Sequence, residues 1–199
     1  MLIACSGAAA AARTILVYGD SLSTAYGIPQ SAGWVMLLEA RLKQRKLDYT
    51  VVNASISGET TAGGAARIEA VLAKTRPAIV IVELGGNDGL RGLPVAQIKA
   101  NLVAIIRASK RAGARVIVTG MQMPPNYGAK YTNDFRGVFG EVAREERAVL
   151  VPFIMEGVAD KREMFQDDNI HLTAAAQPIV MENVWRRLGV MVVAPAKQK

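Results

Sequence analysis

The chain of 199 residues contains a single histidine, His171, and that one ring decides which chemistry is open to it. A serine hydroxyl is a poor nucleophile until a base takes its proton, and near neutral pH imidazole is the natural base. Ser21, within Gly19-Asp20-Ser21-Leu22-Ser23, stands where a β-branched run gives way to a polar turn. Its hydroxyl can therefore project outward while nearby amides face a developing anion. Asp168 precedes His171 by three residues, close enough within one tight turn to accept the Nδ1 proton. That contact would fix the tautomer and stabilise the imidazolium formed during attack. If such a triad exists, no other imidazole can serve Ser21. The oxyanion needs donors, and the amides of Ser21 and Gly58 with the carboxamide of Asn87 are the candidates. Each residue taken singly has an ordinary reading: a loop serine, a turn glycine, a helix-capping asparagine, a capping histidine. Their conjunction at the ends of apolar runs carries the argument.

The same counts exclude other chemistry. One cysteine, Cys5, makes no internal disulfide, redox pair or thiolate zinc cage, and one histidine cannot supply the imidazoles of most catalytic zinc or non-haem iron sites. A carboxylate-only magnesium site stays open. The formal charge of +7 invites a nucleic-acid reading, but the excess is spread along the chain. The basic clusters Arg41-Lys43-Arg45-Lys46 and Arg107-Lys110-Arg111-Arg115 fall at predicted helix ends without interleaved aromatics. No nucleic-acid partner is expected, and at most peripheral contact with a membrane. No GxGxxG or Walker A lysine motif supports nucleotide binding.

Five short apolar runs must position these residues: 14–18, 49–53, 79–84, 115–119 and 148–151. Runs that are apolar almost throughout suit strands buried on both faces, as in a parallel sheet. Between them the spacing predicts helices. Trp34, Leu37, Leu38, Arg41 and Leu42 follow the helical period. Further helices are expected over about 60–74, 95–112 (after Pro94, before Gly113) and 132–146. A last one is expected from Thr173 as N-cap to Leu188, with Gly189 as its stop. The alternation argues an open, doubly wound, three-layer α/β/α sandwich, in which ligands bind beyond the carboxyl ends of the strands.

Gly19-Asp20-Ser21-Leu22, Gly58, Gly86-Asn87-Asp88 and Asp168-x-x-His171 together resemble the four signature blocks of the GDSL, or SGNH, hydrolase family. The likeness covers about residues 14–188 and is strongest to the multifunctional bacterial thioesterase and lysophospholipase branch. The stretches 52–60, 82–92 and Pro125-Asn126-Tyr127-Gly128 add to it. The resemblance implies a flavodoxin-like fold with a five-stranded parallel sheet, no cofactor, no metal, and export to the periplasm. It assigns the nucleophile to Ser21, the oxyanion donors to Ser21, Gly58 and Asn87, and the base and its orienter to His171 and Asp168. It also implies an acyl groove between the loops after the third and fourth strands, where Leu90, Met123 and Pro124 are the candidate contacts. Met121 and Met123 have core filling as their alternative. The family often has proline directly after the histidine; Leu172 stands there instead, and would loosen that turn or join the groove wall.

The expected function is a serine esterase acting on acyl esters and thioesters, including lysophospholipids and aryl esters, working as a monomer. Alternatives are a carbohydrate O-deacetylase on the same fold and a catalytically silent envelope-binding module. Residues 13–190 form the expected hydrolase domain and 191–199 a tail. Residues 1–12, small and apolar, are expected to be the remnant of an export signal or a disordered tail. Leu2-Ile3-Ala4-Cys5 resembles a lipobox, which leaves lipid anchoring at Cys5 open. Glu83, inside an apolar run, needs partners or a proton. Asp20 and Asp88 are expected to tie their loops by accepting backbone amides.

Overall fold

The computed structural model describes residues 13–193. The export-signal and Cys5 expectations lie outside the described residues. Five strands run β1 (Arg13–Gly19), β2 (Tyr49–Asn53), β3 (Ile79–Glu83), β4 (Arg115–Thr119) and β5 (Val149–Val151). All pair in parallel, in the order β2-β1-β3-β4-β5. Helices are α1 (Trp34–Gln44), α2 (Thr61–Thr75), α3 (Gly86–Leu90), α4 (Val95–Arg111), α5 (Ala129–Glu145) and α6 (Gln177–Val193). α1 packs with α6, and α2 and α5 flank α4, so the sheet is enclosed between two helical layers. Ile15–Tyr18 and Ile79–Val82 are wholly buried, which is why β1 and β3 read as unbroken apolar runs.

The strand order reverses between β1 and β3, and there the loops leave on opposite faces and open a crevice. Ser21 follows β1 and Asn87 follows β3, so topology alone brings them to that crevice. The entry to α2 is fixed by Thr60, whose side chain accepts the Gly63 amide (3.2 Å). Gly85 turns the chain from β3 into α3 at φ +123°, with the Phe139 ring about 3 Å from where a Cβ would lie.

Two expectations at the C-terminal end are corrected. Thr173 makes no side-chain cap; its hydroxyl bonds Met164 O (3.2 Å), a short 3₁₀ turn covers Ala174–Ala176, and α6 starts at Gln177. Gly189 does not stop the helix, which runs on to Val193 with Met191 and Val192 buried. A Cβ at Gly189 would lie 3.2 Å from the Trp185 ring, so this glycine makes room for an indole inside the helix. α5 also begins a turn earlier than its period indicates, directly after Gly128.

Candidate active site

The chain leaves β1 at Gly19 and bends at once: the amides of Ser23 and Thr24 both bond Asp20 O, which lifts Ser21 to the rim of the crevice. On the far side, residues 166–172 form a compact loop. Asn169 adopts φ +59°, and the amides of Ile170 and His171 both donate to Asp168 Oδ1 (2.9 Å each). This Asx-type turn leaves Oδ2 for the ring, and His171 Nδ1 lies 2.6 Å from it. His171 Nε2 is then 3.0 Å from Ser21 Oγ. Because a carboxylate only accepts, Nδ1 carries the hydrogen and the Nε2 lone pair faces the serine. The bond to His171, with the two amides, holds the Asp168 carboxyl well below the usual carboxylate range.

The loop does not hang free. Gln166 N bonds His171 O (2.8 Å), Thr173 N bonds Met164 O (2.8 Å), and Gln166 Nε2 reaches Leu172 O and Tyr26 O. Leu172, where the family often has proline, is buried, pairs with Phe165 and lines the cavity. Of its two expected effects it shows the second: it is wall, and the turn is held by residues 164–166. Tyr26, itself exposed, lies against His171 with ring centroids 4.3 Å apart.

Neither the Ser21 amide nor the Gly58 amide donates to any group among the described residues. Asn87 caps nothing, since α3 has Gly85 before it and no side-chain cap. Its carboxamide donates to Asp20 Oδ2 (2.9 Å), and Nδ2 keeps a second hydrogen. Gly58 sits in the loop after β2 at φ +79°; that loop is pinned by Ser57 to Thr24 (2.8 Å) and by Gly58 O to Arg91 (3.2 Å). Asp88 receives both the amide and the hydroxyl of Thr61 (2.8 and 2.5 Å), joining α2 to α3, and Asp20 receives the Leu22 amide (3.0 Å). Both aspartates thus tie loops as their types predict.

A cavity of about 890 Å³ opens from Ser21. Ser21, Asn87, His171, Leu90, Met123 and Pro124 all line it; Asp168 stands behind the imidazole, and Gly58 lies outside the lining. Met121 answers to both of its readings, buried in the core yet exposed to the cavity along one edge. A second wall, Phe153, Met155, Ala159 and Phe165, comes from the irregular stretch between β5 and α6. Sequence reasoning did not find this wall. Its one signal was the apolar cluster Pro152-Phe153-Ile154-Met155 directly after a strand.

A hydroxyl, an oriented imidazole, free amides and an apolar trough together define a site for acyl transfer. The sequence profile of the GDSL-like lipase/acylhydrolase family matches residues 17–178. Esterase TesA from Pseudomonas aeruginosa is 52% identical over 179 residues, covering 90% of this chain and 89% of the relative. The thioesterase 1/protease 1/lysophospholipase L1 of Escherichia coli K12 is 41% identical over 180 residues, 90% and 85% of the two chains. The psychrotrophic esterase EstA from Pseudoalteromonas sp., solved inhibited by monoethylphosphonate, superposes with a TM-score of 0.87 at 37% identity, covering 92% of this chain and all of that one. The chain belongs to the GDSL-like lipase/acylhydrolase family.

Proposed function

We propose that the chain is a serine esterase that hydrolyses acyl esters and thioesters through Ser21, His171 and Asp168. The observation that carries the reading is one imidazole bonded to Ser21 Oγ on one nitrogen (3.0 Å) and to the Asp168 carboxylate on the other (2.6 Å). Ser21 Oγ attacks the acyl carbon as its proton passes to Nε2. Charge developing on the acyl oxygen meets the amides of Ser21 and Gly58 and the free Asn87 hydrogen. The imidazolium returns its proton to the departing alkoxide or thiolate, leaving an acyl-serine. Water, deprotonated by the same nitrogen, adds to that ester; the acyl–Oγ bond then breaks, the imidazolium returns its proton to Ser21 Oγ, and the acid is released.

The substrate class can be read from the lining. Leu90, Met123, Pro124, Phe153, Met155 and Phe165 offer apolar and polarizable surface to an alkyl or aryl acyl group, more than an acetylated sugar needs. Similarity to enzymes named esterase and thioesterase/lysophospholipase supports the same class. The basic clusters are engaged within the chain: Arg41 with Glu182, Arg107 with Glu146, Arg111 with Glu69, and Arg115 with Met191 O. That leaves them poorly placed to bind a nucleic acid. We also propose export to the periplasm or beyond, on the composition of residues 1–12; osmotic-shock fractionation of expressing cells tests this.

Steady-state assays on an aryl ester, a long-chain acyl thioester, a lysophospholipid and an acetylated sugar test the substrate reading. Wild type should turn over the first three and Ser21→Ala none. Turnover of the acetylated sugar alone would replace the acyl-lipid reading with a deacetylase. Full activity in Ser21→Ala would end the serine mechanism.

A further inference from the structure

Two buried carboxyl groups lie beneath the reaction centre. Glu83 closes β3, and its register partner on β1 is Gly19, so its side chain comes up under the turn that carries Ser21. A Cβ at residue 19 would meet Glu83 Oε2 at 2.4 Å, an approach only glycine permits. Glu83 is wholly buried. Its Oε2 accepts from the Asp20 amide (3.2 Å) and the Ser23 hydroxyl (2.6 Å), one on either side of Ser21. Its Oε1 is buried and meets no donor among the described residues, and Glu83 is one of the residues lining the cavity. Asp20 is buried as well; its Oδ1 takes the Leu22 amide and its Oδ2 the Asn87 carboxamide.

We propose that Asp20 and Glu83 are positioning residues of the oxyanion hole: Asp20 aims the Asn87 amide group at the acyl oxygen, and Glu83 pins the turn that presents Ser21. This rests on Ser21 as nucleophile and Asn87 as oxyanion donor. A carboxamide is nearly symmetric in shape and can present either Oδ1 or Nδ2 to a substrate. An acceptor at 2.9 Å settles the matter in favour of Nδ2 and leaves its second hydrogen for the oxyanion. The two carboxyls cannot both ionise cheaply in so little water. Glu83 keeps the proton, because burial and the charge of Asp20 both oppose its ionisation. Asp20 is faced by Glu83 from β3, Asp88 from α3 and His171 from across the crevice. Burial pushes it up to about 6, and its two donors and His171 hold it there rather than higher, so at neutral pH it is the ionised member.

The test is kcat and KM for a short aryl ester, with active sites titrated by a phosphonate so that misfolded protein is not counted. Asp20→Asn keeps one acceptor oxygen for two donors, the Leu22 amide and the Asn87 carboxamide, so one is left facing an NH2 group. Its kcat should fall about 10- to 100-fold with KM within about threefold. Glu83→Leu removes both bonds around Ser21 and should lower kcat about tenfold or more, and Glu83→Gln, uncharged and of the same shape, should recover most of that loss. Wild-type kcat per titrated site in Asp20→Asn, or a Glu83→Gln enzyme as impaired as Glu83→Leu, overturns the proposal. If Glu83→Leu does not fold, Asp20→Asn alone decides. A wild-type protein that the phosphonate does not titrate would instead overturn the underlying reading of Ser21.

Discussion

His171 stands between a hydroxyl and a carboxylate, and the proposed work of its ring as a base depends on which nitrogen keeps the hydrogen. Asp168 settles that with one oxygen on Nδ1 and the other on two amides of its own turn, so ring orientation and loop conformation are one device. Removing the ring should therefore cost nearly all turnover: His171→Ala should lower kcat about 10⁴-fold. In the proposed oxyanion hole Asn87 is one donor of three, and Asn87→Ala should cost about 10²–10³-fold in kcat with KM little changed. Single-turnover acylation of a chromogenic ester checks both. An Asn87→Ala enzyme acylating at the wild-type rate would remove that carboxamide from the oxyanion hole.

At the scale of elements, the site depends on how each strand passes into its loop or helix. Gly85 makes the turn from β3 to α3 at a φ that side-chain-bearing residues avoid, against the Phe139 ring. Gly85→Ala should destabilise the protein by about 2–3 kcal/mol and displace Asn87, measurable as a lower urea midpoint together with a fall in kcat. An unchanged midpoint would show that the turn relaxes freely. The strands were legible because β1 and β3 are buried on both faces and leave unbroken apolar runs; their order was not, since pairing is set by tertiary packing. The loops at Ser21, Gly58, Asn87 and His171 were legible because the chemistry admits few residue types. The end of α6 was misjudged because Gly189 answers to a tertiary neighbour, Trp185, which outweighs its low helix propensity. The wall at Phe153, Met155 and Phe165 was invisible for another reason: it lies on irregular chain, where no period marks which side chains face inward.

For the whole molecule, the reaction centre is built over buried acid. Asp20 is pushed up to about 6 and Glu83 well above the usual carboxylate range, both chiefly by burial. Above pH 4 the folded chain therefore holds more protons at these positions than the unfolded chain, and the stability they confer is lost as pH rises. With these two groups dominant, the melting temperature should fall between pH 5 and pH 8, each retained proton contributing up to about 1.4 kcal/mol per pH unit. Glu83→Gln, which cannot release a proton, should flatten that slope. A slope identical to wild type would mean that Glu83 titrates normally in the folded chain.

All of this depends on Ser21 being the atom that attacks. Wild type, Ser21→Ala and His171→Ala, treated with a fluorophosphonate and digested for mass spectrometry, test that claim most directly. The account predicts one stoichiometric phosphonyl adduct on the peptide bearing Ser21 in wild type, none in Ser21→Ala, and labelling slowed by orders of magnitude in His171→Ala. An adduct elsewhere, or an unlabelled wild-type protein that still hydrolyses esters, would contradict it.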